Sequence, residues 1–588
     1  MGVVALAMLG LALGACAGTH PGEPEGGAPY RGGVLNMLGT GDVDHMDPNI
    51  SYYGPGYLAL RMFTRQLFTY PATPGRTTTP VPDLATTTPT AANGGVRAGG
   101  LVYRVTIRRG AMWNTKPPRQ VTAADAVRGL ERTCNPEQPF GGLPDFDDLI
   151  AGFSKFCEEF EKVPPTVTAI KAFLATNSIA GARVDPADPM TVVYTLTHPA
   201  TYFQGVLSMP AFSPAPAEYL EFLPASNALA QHTLSDGPYE IKSYTPLRSI
   251  LFIRNPAWNP ATDPVRRAYV DRVVISETGN ESSIQQELST GSPSADMEWD
   301  TRVPTADIPA LLKSHDPKLV LGRTYGMDYL VFNTVSPNNG GALKDPAVRS
   351  AIEYGLDRRD LVQDSGGPQV APPLSHVLPP GILGSRQFDD FPYGVQASRL
   401  KLETALGGRH LRLIVLYQPA LDFEVKAFQT IQADLGQVGI SVTGLTSPME
   451  DFYTRYMEVP QTAERGVWDL ALAEWGPDWF GDAALSYFDP LFSGPRSYPP
   501  SGSDFGLFYD PEVTRLTDIA SVATSSSQAA GLWAQDDRQV MADAAIFPIT
   551  SPTVPVYHAA QVRNAVFVPN IGQFDPTNVW LLPRRSGT

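Results

Sequence analysis

An aromatic and acidic segment at residues 467–492 carries the side chains best suited to hold a small charged molecule. Trp475 and Trp479 offer flat apolar faces, and Asp478 and Asp482 offer carboxylates in the same short stretch. Carboxylates beside aromatic faces suit a molecule with a cationic end, because both groups attract positive charge. The alternative interpretation is a solvated acidic turn beside ordinary core aromatics.

The residues just before this patch predict the element that presents it. Trp468 and Leu470 alternate with smaller or polar residues, a pattern typical of a short, half-buried strand. The alternation breaks at Gly476 and Pro477, residue types that commonly end a strand and begin a loop. We therefore expect a strand whose end opens into the loop that carries the acidic patch.

The sequence lacks the motifs of the common enzyme classes. It contains no H-E-x-x-H, C-x-x-C, G-x-S-x-G or G-x-x-x-x-G-K-[ST] pattern. Gly39 and Gly41 begin a possible dinucleotide motif, but Asp44 stands where its third glycine belongs. The sequence therefore predicts no catalytic residue, no metal and no cofactor. Asp44 and His45, in the turn after the first expected strand, are candidates for a place beside a binding cleft.

Length and charge limit the classes of protein to which this chain can belong. A chain of 588 residues is too long for one core and predicts about three or four structural units. Its 43% hydrophobic and 18% charged residues are typical of a packed globular protein. The net charge of −16 argues against a nucleic-acid partner, because the average field repels phosphate.

The N-terminal residues predict export and lipidation. Residues 3–15 form an apolar run that is too short to cross a bilayer as a helix but suits the core of a signal peptide. The run ends in Leu13-Gly14-Ala15-Cys16, which resembles a bacterial lipobox. The resemblance implies cleavage before Cys16, a lipid on its thiol and attachment to the outer face of the cell membrane. The alternative is an N-terminal helix with a chance cysteine.

The remaining cysteines predict a disulfide. If Cys16 carries a lipid, Cys134 and Cys157 are left as a pair in an exported chain. Closing a loop of this size adds on the order of 3 kcal/mol to stability in the chain-entropy model. Two free buried thiols are the alternative.

Periodicity predicts a mixed α/β chain. Alternating apolar residues indicate strands, and apolar residues spaced three to four apart indicate helices. In the first half we expect strands at 103–108, 192–196, 250–253 and 273–276, and a helix after the capping pair Thr122 and Asp125. In the second half we expect a strand at 329–334, a helix from Pro346, and a strand, helix and parallel strand at 411–417, 424–435 and 440–445.

Several short motifs occur in an order that resembles a known family. They are G-G-V-L-N at 32–36, Y-R-V-T-I-R-R-G-A-M-W-N at 103–114, D-G-P-Y-E-I at 236–241, R-N-P-A-W at 254–258, V-F-N-T at 331–334, D-P-A-V-R-S-A-I-E-Y-G-L-D-R at 345–358 and W-D-L-A-L-A-E-W at 468–475. Together they resemble the family 5 extracellular solute-binding proteins, the peptide and oligopeptide receptors of ABC importers. In style the chain looks actinobacterial.

The resemblance implies an α/β, two-lobed fold of the periplasmic-binding-protein type II kind, with an extra subdomain in the first lobe and the ligand enclosed between lobes. The boundaries expected on this basis are a signal peptide at 1–16, a tether at 17–30, first-lobe segments at 31–70 and 191–324, the extra subdomain at 71–190, the second lobe at 325–547 and a return to the first lobe at 548–588.

The resemblance also implies a site. In oligopeptide receptors an aspartate three residues after a tryptophan holds the α-ammonium of the ligand; Trp475 and Asp478 match this spacing, and Trp479 replaces the usual tyrosine. Arg386 is a candidate partner for a ligand carboxylate. The expected partners are a peptide and the permease subunits of an importer, with the receptor a monomer. The alternatives are another solute, such as an oligosaccharide, an opine or a metal chelate, and an adaptor or sensor without transport.

Overall fold

The computed structural model describes residues 28–143, 146–419, 421–447, 451–499 and 502–583. The predicted signal peptide, the predicted lipidation site Cys16 and most of the predicted tether lie outside the described residues, so these assignments stay predictions. Within the described ranges, no helix is both long enough and apolar enough to cross a membrane.

The chain up to residue 323 mixes short strands and short helices. Its strands are β1 Val34–Leu38, β2 Phe68–Thr69, β3 Val81–Pro82, β4 Val96–Arg97, β5 Val102–Thr106, β6 Met112–Trp113, β7 Arg119–Gln120, β8 Ala182–Asp185, β9 Asp188–Thr195, β10 Tyr239–Thr245, β11 Ser249–Arg254, β12 Arg272–Ser276, β13 Met297–Glu298 and β14 Leu319–Arg323. Its α-helices are α1 Gly54–Phe63, α2 Ala123–Arg132, α3 Phe153–Phe160, α4 Val167–Leu174, α5 Phe203–Val206, α6 Asn227–Ala230, α7 Glu281–Thr290 and α8 Ile308–Ser314.

The rest of the chain contains longer helices. Its strands are β15 Met327–Phe332, β16 Arg412–Tyr417, β17 Ser441–Thr446, β18 Leu470–Trp475, β19 Ile546–Thr550, β20 Thr553–Tyr557, β21 Val562–Arg563, β22 Phe567–Val568, β23 Gln573–Phe574 and β24 Trp580–Leu581. Its α-helices are α9 Pro346–Gly355, α10 Arg358–Asp364, α11 Val395–Leu406, α12 Asp422–Gln437, α13 Pro460–Glu464, α14 Leu485–Phe492, α15 Pro511–Ser521 and α16 Ser526–Ala542.

The first lobe is built around a five-stranded sheet with the order β10-β11-β12-β1-β13. Strand β1 runs parallel to β12 and β13, so the carboxyl ends of these three strands lie at one edge. Leu35, Met37 and Ile275 are fully buried on this sheet. The segment after residue 550 packs into the same core through Val556 and Phe574. The first lobe is therefore assembled from distant parts of the sequence.

A smaller antiparallel sheet, β4-β5-β9-β8, stands beside this lobe with helices α2 to α4. Thr122 and Asp125 interact at the start of α2 as the predicted capping box requires: the backbone N–H and the hydroxyl of Thr122 donate to Asp125 Oδ2 at 2.9 and 3.2 Å. The predicted disulfide is confirmed: Cys134 and Cys157 are bonded, with their Cα atoms 5.3 Å apart. The bond ties the chain just after α2 to the middle of α3.

The second lobe is built around a sheet with the order β17-β16-β18-β15-β19. The predicted strand, helix and parallel strand are confirmed as β16, α12 and β17. Strand β18 runs parallel to β16 and antiparallel to β15. The carboxyl ends of β16 and β18 and the amino end of β15 therefore lie at the same edge of the sheet.

Candidate functional site

The loop that carries the acidic patch leaves the edge of the second lobe's sheet. As predicted, strand β18 ends at Trp475, and Gly476 and Pro477 begin the loop. Strand β15 pairs with β18 up to its last residue, with Met327 opposite Trp475, whereas β16 pairs only with Leu470 and Ala471 at its start. Asp478, three residues beyond the strand, is thus presented from a rigid base.

Asp478 contacts the first lobe directly. The hydroxyl of Tyr52 donates a hydrogen bond to Asp478 Oδ1 at 2.7 Å, although the two residues are 426 positions apart in sequence. Both side chains are half-buried. A hydrogen bond to a carboxylate is stronger than one between neutral groups. The Tyr52–Asp478 bond therefore joins the two lobes at the predicted ligand anchor.

Asp44 holds Tyr52 in place. The Oδ2 atom of Asp44 accepts from the backbone N–H of Tyr52 at 2.7 Å, and its Oδ1 atom accepts from the Ser51 hydroxyl at 2.7 Å. The ring of Tyr52 packs edge-on against Phe140, with centroids 5.1 Å apart. A Cβ at Gly141 would lie 2.9 Å from the same ring, so this close approach requires glycine. The structure thus places Asp44 at the site as a support for Tyr52.

His45 and Arg386 are the other two polar candidates. The amide of Gln138 donates to His45 Nε2 at 2.9 Å, which links His45 to the disulfide-bonded loop. Arg386 is exposed, and the contacts described for the chain join it to none of the other candidate residues. Its predicted role with a ligand carboxylate stays a prediction.

The two tryptophans have different surroundings. Trp475 is half-buried and donates from its indole N–H to the carbonyl of Ser486 at 2.8 Å. Trp479 is fully buried and stacks on Tyr202 of the first lobe, with ring centroids 5.7 Å apart and planes at 18°. In this conformation Trp479 leaves no exposed face for a bound molecule. Its side chain instead forms a stacking contact between the two lobes.

Phe480 and Asp482 extend this contact between lobes. Phe480 is buried in the core of the first lobe, and its backbone N–H donates to the hydroxyl of Tyr70 at 2.8 Å. Burial raises the pKa of Tyr70 to about 12, so this hydroxyl stays neutral. Asp482 accepts a hydrogen bond from the hydroxyl of Thr201. The loop at residues 478–482 therefore contacts the first lobe through Asp478, Trp479, Phe480 and Asp482.

A protonated tyrosine lies behind the acidic loop. Burial, and then the charge of Asp478, raise the pKa of Tyr487 far above its usual range, so the Tyr487 hydroxyl behind the loop remains protonated. It donates to the carbonyl of Tyr325. Across the described ranges, no group of three His, Cys, Asp or Glu side chains is arranged to hold a metal ion. What the site offers is a carboxylate between aromatic rings, at the junction of two lobes.

Tyr52, Tyr70 and Tyr202 are the residues that sequence reasoning missed. They lie far from the acidic patch along the chain, and no local pattern marks them. Only the packing of one lobe on the other brings them to Asp478, Phe480 and Trp479. Their aromatic character, alone, is as typical of a core as of a site.

A model of the family described as bacterial extracellular solute-binding proteins, family 5 (Middle), matches residues 79–498. The chain belongs to this family. The resemblance noted from the ordered motifs is thereby confirmed. The family comprises solute-binding proteins rather than enzymes, in agreement with the missing catalytic motifs.

Curated relatives of this family 5 protein are similar at low identity. The probable di/tripeptide-binding protein 5 of Pseudomonas aeruginosa (strain UCBPP-PA14) is 23% identical over 478 residues, which make up 77% of this chain and 79% of the relative. The periplasmic oligopeptide-binding protein OppA of Salmonella typhimurium is 22% identical over 481 residues, or 79% of this chain and 77% of the relative.

Solved structures show the same fold. The clavulanic acid biosynthesis oligopeptide binding protein 2 superposes with a TM-score of 0.82 at 23% identity, covering 94% of this chain and 96% of the other. The periplasmic binding protein DppA of Helicobacter pylori, in complex with the peptide STSA, gives a TM-score of 0.71 at 20% identity, covering 94% and 98%. The predicted two-lobed fold of type II is confirmed. The predicted lobe boundaries stay predictions.

Proposed function

We propose that this family 5 protein is a lipid-anchored receptor that captures peptides between its lobes and delivers them to the permease of an ABC importer. The single observation that carries the proposal is the placement of Asp478. Its carboxylate lies at the junction of the lobes, three residues beyond Trp475 and within 2.7 Å of the Tyr52 hydroxyl. The relatives named above for dipeptides, tripeptides and oligopeptides support a peptide as the ligand.

The chemistry of a peptide N-terminus fits Asp478. An α-ammonium that is enclosed between two lobes loses its water and needs a carboxylate as a charge-assisted partner. A carboxylate has lone pairs for several donors, so the Tyr52 hydroxyl and a ligand ammonium can bind the same group. The Tyr52 hydrogen bond then ties the carboxylate on the second lobe to the first lobe while the ligand is bound.

The contacts of the loop at residues 478–482 with the first lobe explain how binding closes the lobes. Trp479, Phe480 and Asp482 contact the first lobe through stacking, burial and hydrogen bonds. A ligand that touches both sides stabilises this closed arrangement by its differential contacts with the closed state. The closed protein then carries the solute to the permease without changing it chemically.

The lipid anchor is the second part of the proposal. Leu13 to Cys16 resemble a lipobox, and a receptor tethered by Cys16 stays close to a permease in the membrane. Cys16→Ala should leave an uncleaved precursor without lipid, whereas wild type should begin at Cys16 and sediment with membranes. Normal cleavage and solubility of both forms would contradict the anchor.

Mass spectrometry tests the ligand class. The mature protein, purified without added ligand, is denatured, and the released small molecules are identified. We expect peptides. Recovery of an oligosaccharide, an opine or a metal chelate instead would overturn the proposal and identify another solute.

A further inference from the structure

A small cavity lies at the edge of the second lobe's sheet, near the start of the loop that carries Asp478. Its volume is about 20 Å³, which is room for roughly one water-sized group. Three carboxylates line it: Asp328 on β15, Glu474 on β18 and Glu424 on α12. Phe423 and Leu472 supply apolar walls.

Asp328 has an unsatisfied oxygen in this cavity. The side chain is only 9% exposed. One carboxylate oxygen accepts from the Thr550 hydroxyl at 2.5 Å, and the other, Oδ1, is buried without a hydrogen-bond partner. A buried polar oxygen without a partner is costly and uncommon in a native protein. Asp328 Oδ1 is therefore placed to accept a hydrogen bond from a group that enters the cavity.

The other two carboxylates surround the same space. Glu474 is the direct cross-strand neighbour of Asp328 and is exposed, so it connects the cavity with solvent. Glu424 is held by Gln418, whose backbone N–H and side-chain amide donate to it at 2.7 and 3.2 Å. Arg302 is the positive group that acts on Asp328. Three carboxyl groups and one guanidinium therefore act at this corner of the lobe.

The cavity is close to the proposed peptide anchor. Glu474 precedes Asp478 by four residues, so their Cα atoms are separated by at most roughly 14 Å. The pair Asp328 and Glu474 follows the pair Met327 and Trp475 at the strand end, with its side chains on the opposite face of the sheet, so a ligand side chain would reach the cavity around the edge of the sheet. A side chain of a short peptide anchored at Asp478 can span this distance.

We propose that this cavity is the subsite for a primary ammonium on a ligand side chain, so that the receptor prefers peptides with a lysine-like residue. The inference rests on the proposed function. A primary ammonium is compact and carries three donors, which matches three carboxylates around a water-sized space. Only the ammonium group has to enter this space, and the methylene stem stays outside it. A guanidinium is planar and larger than the cavity.

The release of protons on binding would be a second, independent sign that an ammonium enters this cavity. Burial and the neighbouring Glu474 raise the pKa of Asp328 to about 8, and burial raises the pKa of Glu424 to about 8. The groups that face Asp328 are Glu474 from β18, Glu424 from α12, Thr550 from β19 and Arg302. Near pH 7 an entering ammonium favours the charged carboxylates and displaces a proton.

The test uses calorimetric titration of the mature protein at pH 7. The ligands are tripeptides of alanine with lysine at the first, second or third position, each with a norleucine and an arginine counterpart. We expect the best lysine peptide to bind about tenfold or more tightly than its norleucine counterpart, because only lysine makes charge-assisted hydrogen bonds. We also expect it to bind more tightly than its arginine counterpart, and to release protons when titrated in buffers of different ionisation enthalpy.

Two variants and one control complete the test. Glu474→Gln and Asp328→Asn should each reduce the lysine-to-norleucine affinity ratio severalfold. Glu403→Gln, an exposed change on α11, should leave this ratio unchanged. Equal affinity for lysine and norleucine peptides would overturn the subsite alone, and equal or tighter binding of arginine would overturn its assignment to an ammonium. If no tripeptide binds, the proposed function falls and the subsite falls with it.

Discussion

Tyr52 and Asp478 meet at 2.7 Å across the junction of the lobes, and each comes from a different kind of local structure. Tyr52 is fixed by Asp44 just before α1, and Asp478 by the end of β18. Sequence reasoning found Trp475 and Asp478 because their spacing is local. It missed Tyr52, because a hydrogen bond between residues so far apart leaves no trace in a short window of sequence.

Removing one hydroxyl tests this contact at the scale of a residue. Tyr52→Phe keeps the ring against Phe140 and removes the donor to Asp478. We expect peptide affinity to fall by about 5- to 30-fold, equivalent to about 1 to 2 kcal/mol for a hydrogen bond to a charged group. Calorimetric titration measures the change. Tyr53→Phe, at the exposed neighbouring position, is the matched control, and equal affinities of the two variants would contradict a role for the Tyr52 hydroxyl.

At the scale of elements, the sequence predicted the helices and strands whose apolar residues recur at a regular spacing. The strand, helix and parallel strand formed by β16, α12 and β17 follow from alternation in the strands and a three-to-four spacing in the helix. The stacking of Trp479 on Tyr202, near the start of α5, could not be predicted in this way, because it depends on how the two lobes pack. The sequence indicates the surfaces of single elements but not the pairing of distant ones.

The packing of α5 under Trp479 is open to test. A Cβ added at Gly205 would lie 2.5 Å from Trp479 Cδ1, so Gly205→Ala forces the helix and the loop apart. Gly to Ala in a helix ordinarily stabilises by up to about 1 kcal/mol. Here we expect destabilisation of about 1 to 3 kcal/mol from overpacking, together with weaker peptide binding.

Urea unfolding measures the first effect of Gly205→Ala and titration the second. Gly436→Ala, within α12, is the matched control, because nothing lies within 4 Å of the added Cβ. The control should be neutral or stabilising. If Gly205→Ala also stabilises the protein and leaves peptide affinity intact, the close packing of the lobes at Trp479 is contradicted.

At the scale of the whole molecule, buried carboxyls set the pH dependence of stability. Burial raises the pKa of several of them to about 8: Asp236, Glu277, Asp328, Glu424 and Asp536. These groups bind protons more tightly in the folded chain, so the folded state holds more protons between about pH 4 and pH 8. The free energy of unfolding must therefore fall as pH rises through this window.

Below about pH 4 the free energy of unfolding changes with pH in the opposite direction. Although burial acts against it, the charges of Arg65 and Arg266 lower the pKa of Asp263, and the stabilisation from Asp263 is lost as pH falls below about 4. We expect the free energy of unfolding to be maximal near pH 4 and to fall steadily from pH 5.5 to pH 8, measured by urea unfolding.

Asp536→Asn, which imitates the neutral carboxyl, should flatten this decline. A free energy of unfolding that rises from pH 5.5 to pH 8 would contradict the account. The ordered motifs predicted the two-lobed fold, but such buried charges are invisible until the packing is known.

The central claim is that Asp478 binds the α-ammonium of a peptide. The direct measurement is calorimetric titration of wild type and Asp478→Asn with tri-alanine and with N-acetyl tri-alanine. Asn keeps the shape and removes the charge, so a buried ammonium is left unpaired at a cost of about 3 to 5 kcal/mol. We expect wild type to bind the free peptide at least about 100-fold more tightly than the acetylated one, and Asp478→Asn to lose that preference. Equal binding of the two peptides by wild type, or wild-type affinity in the variant, would contradict the claim.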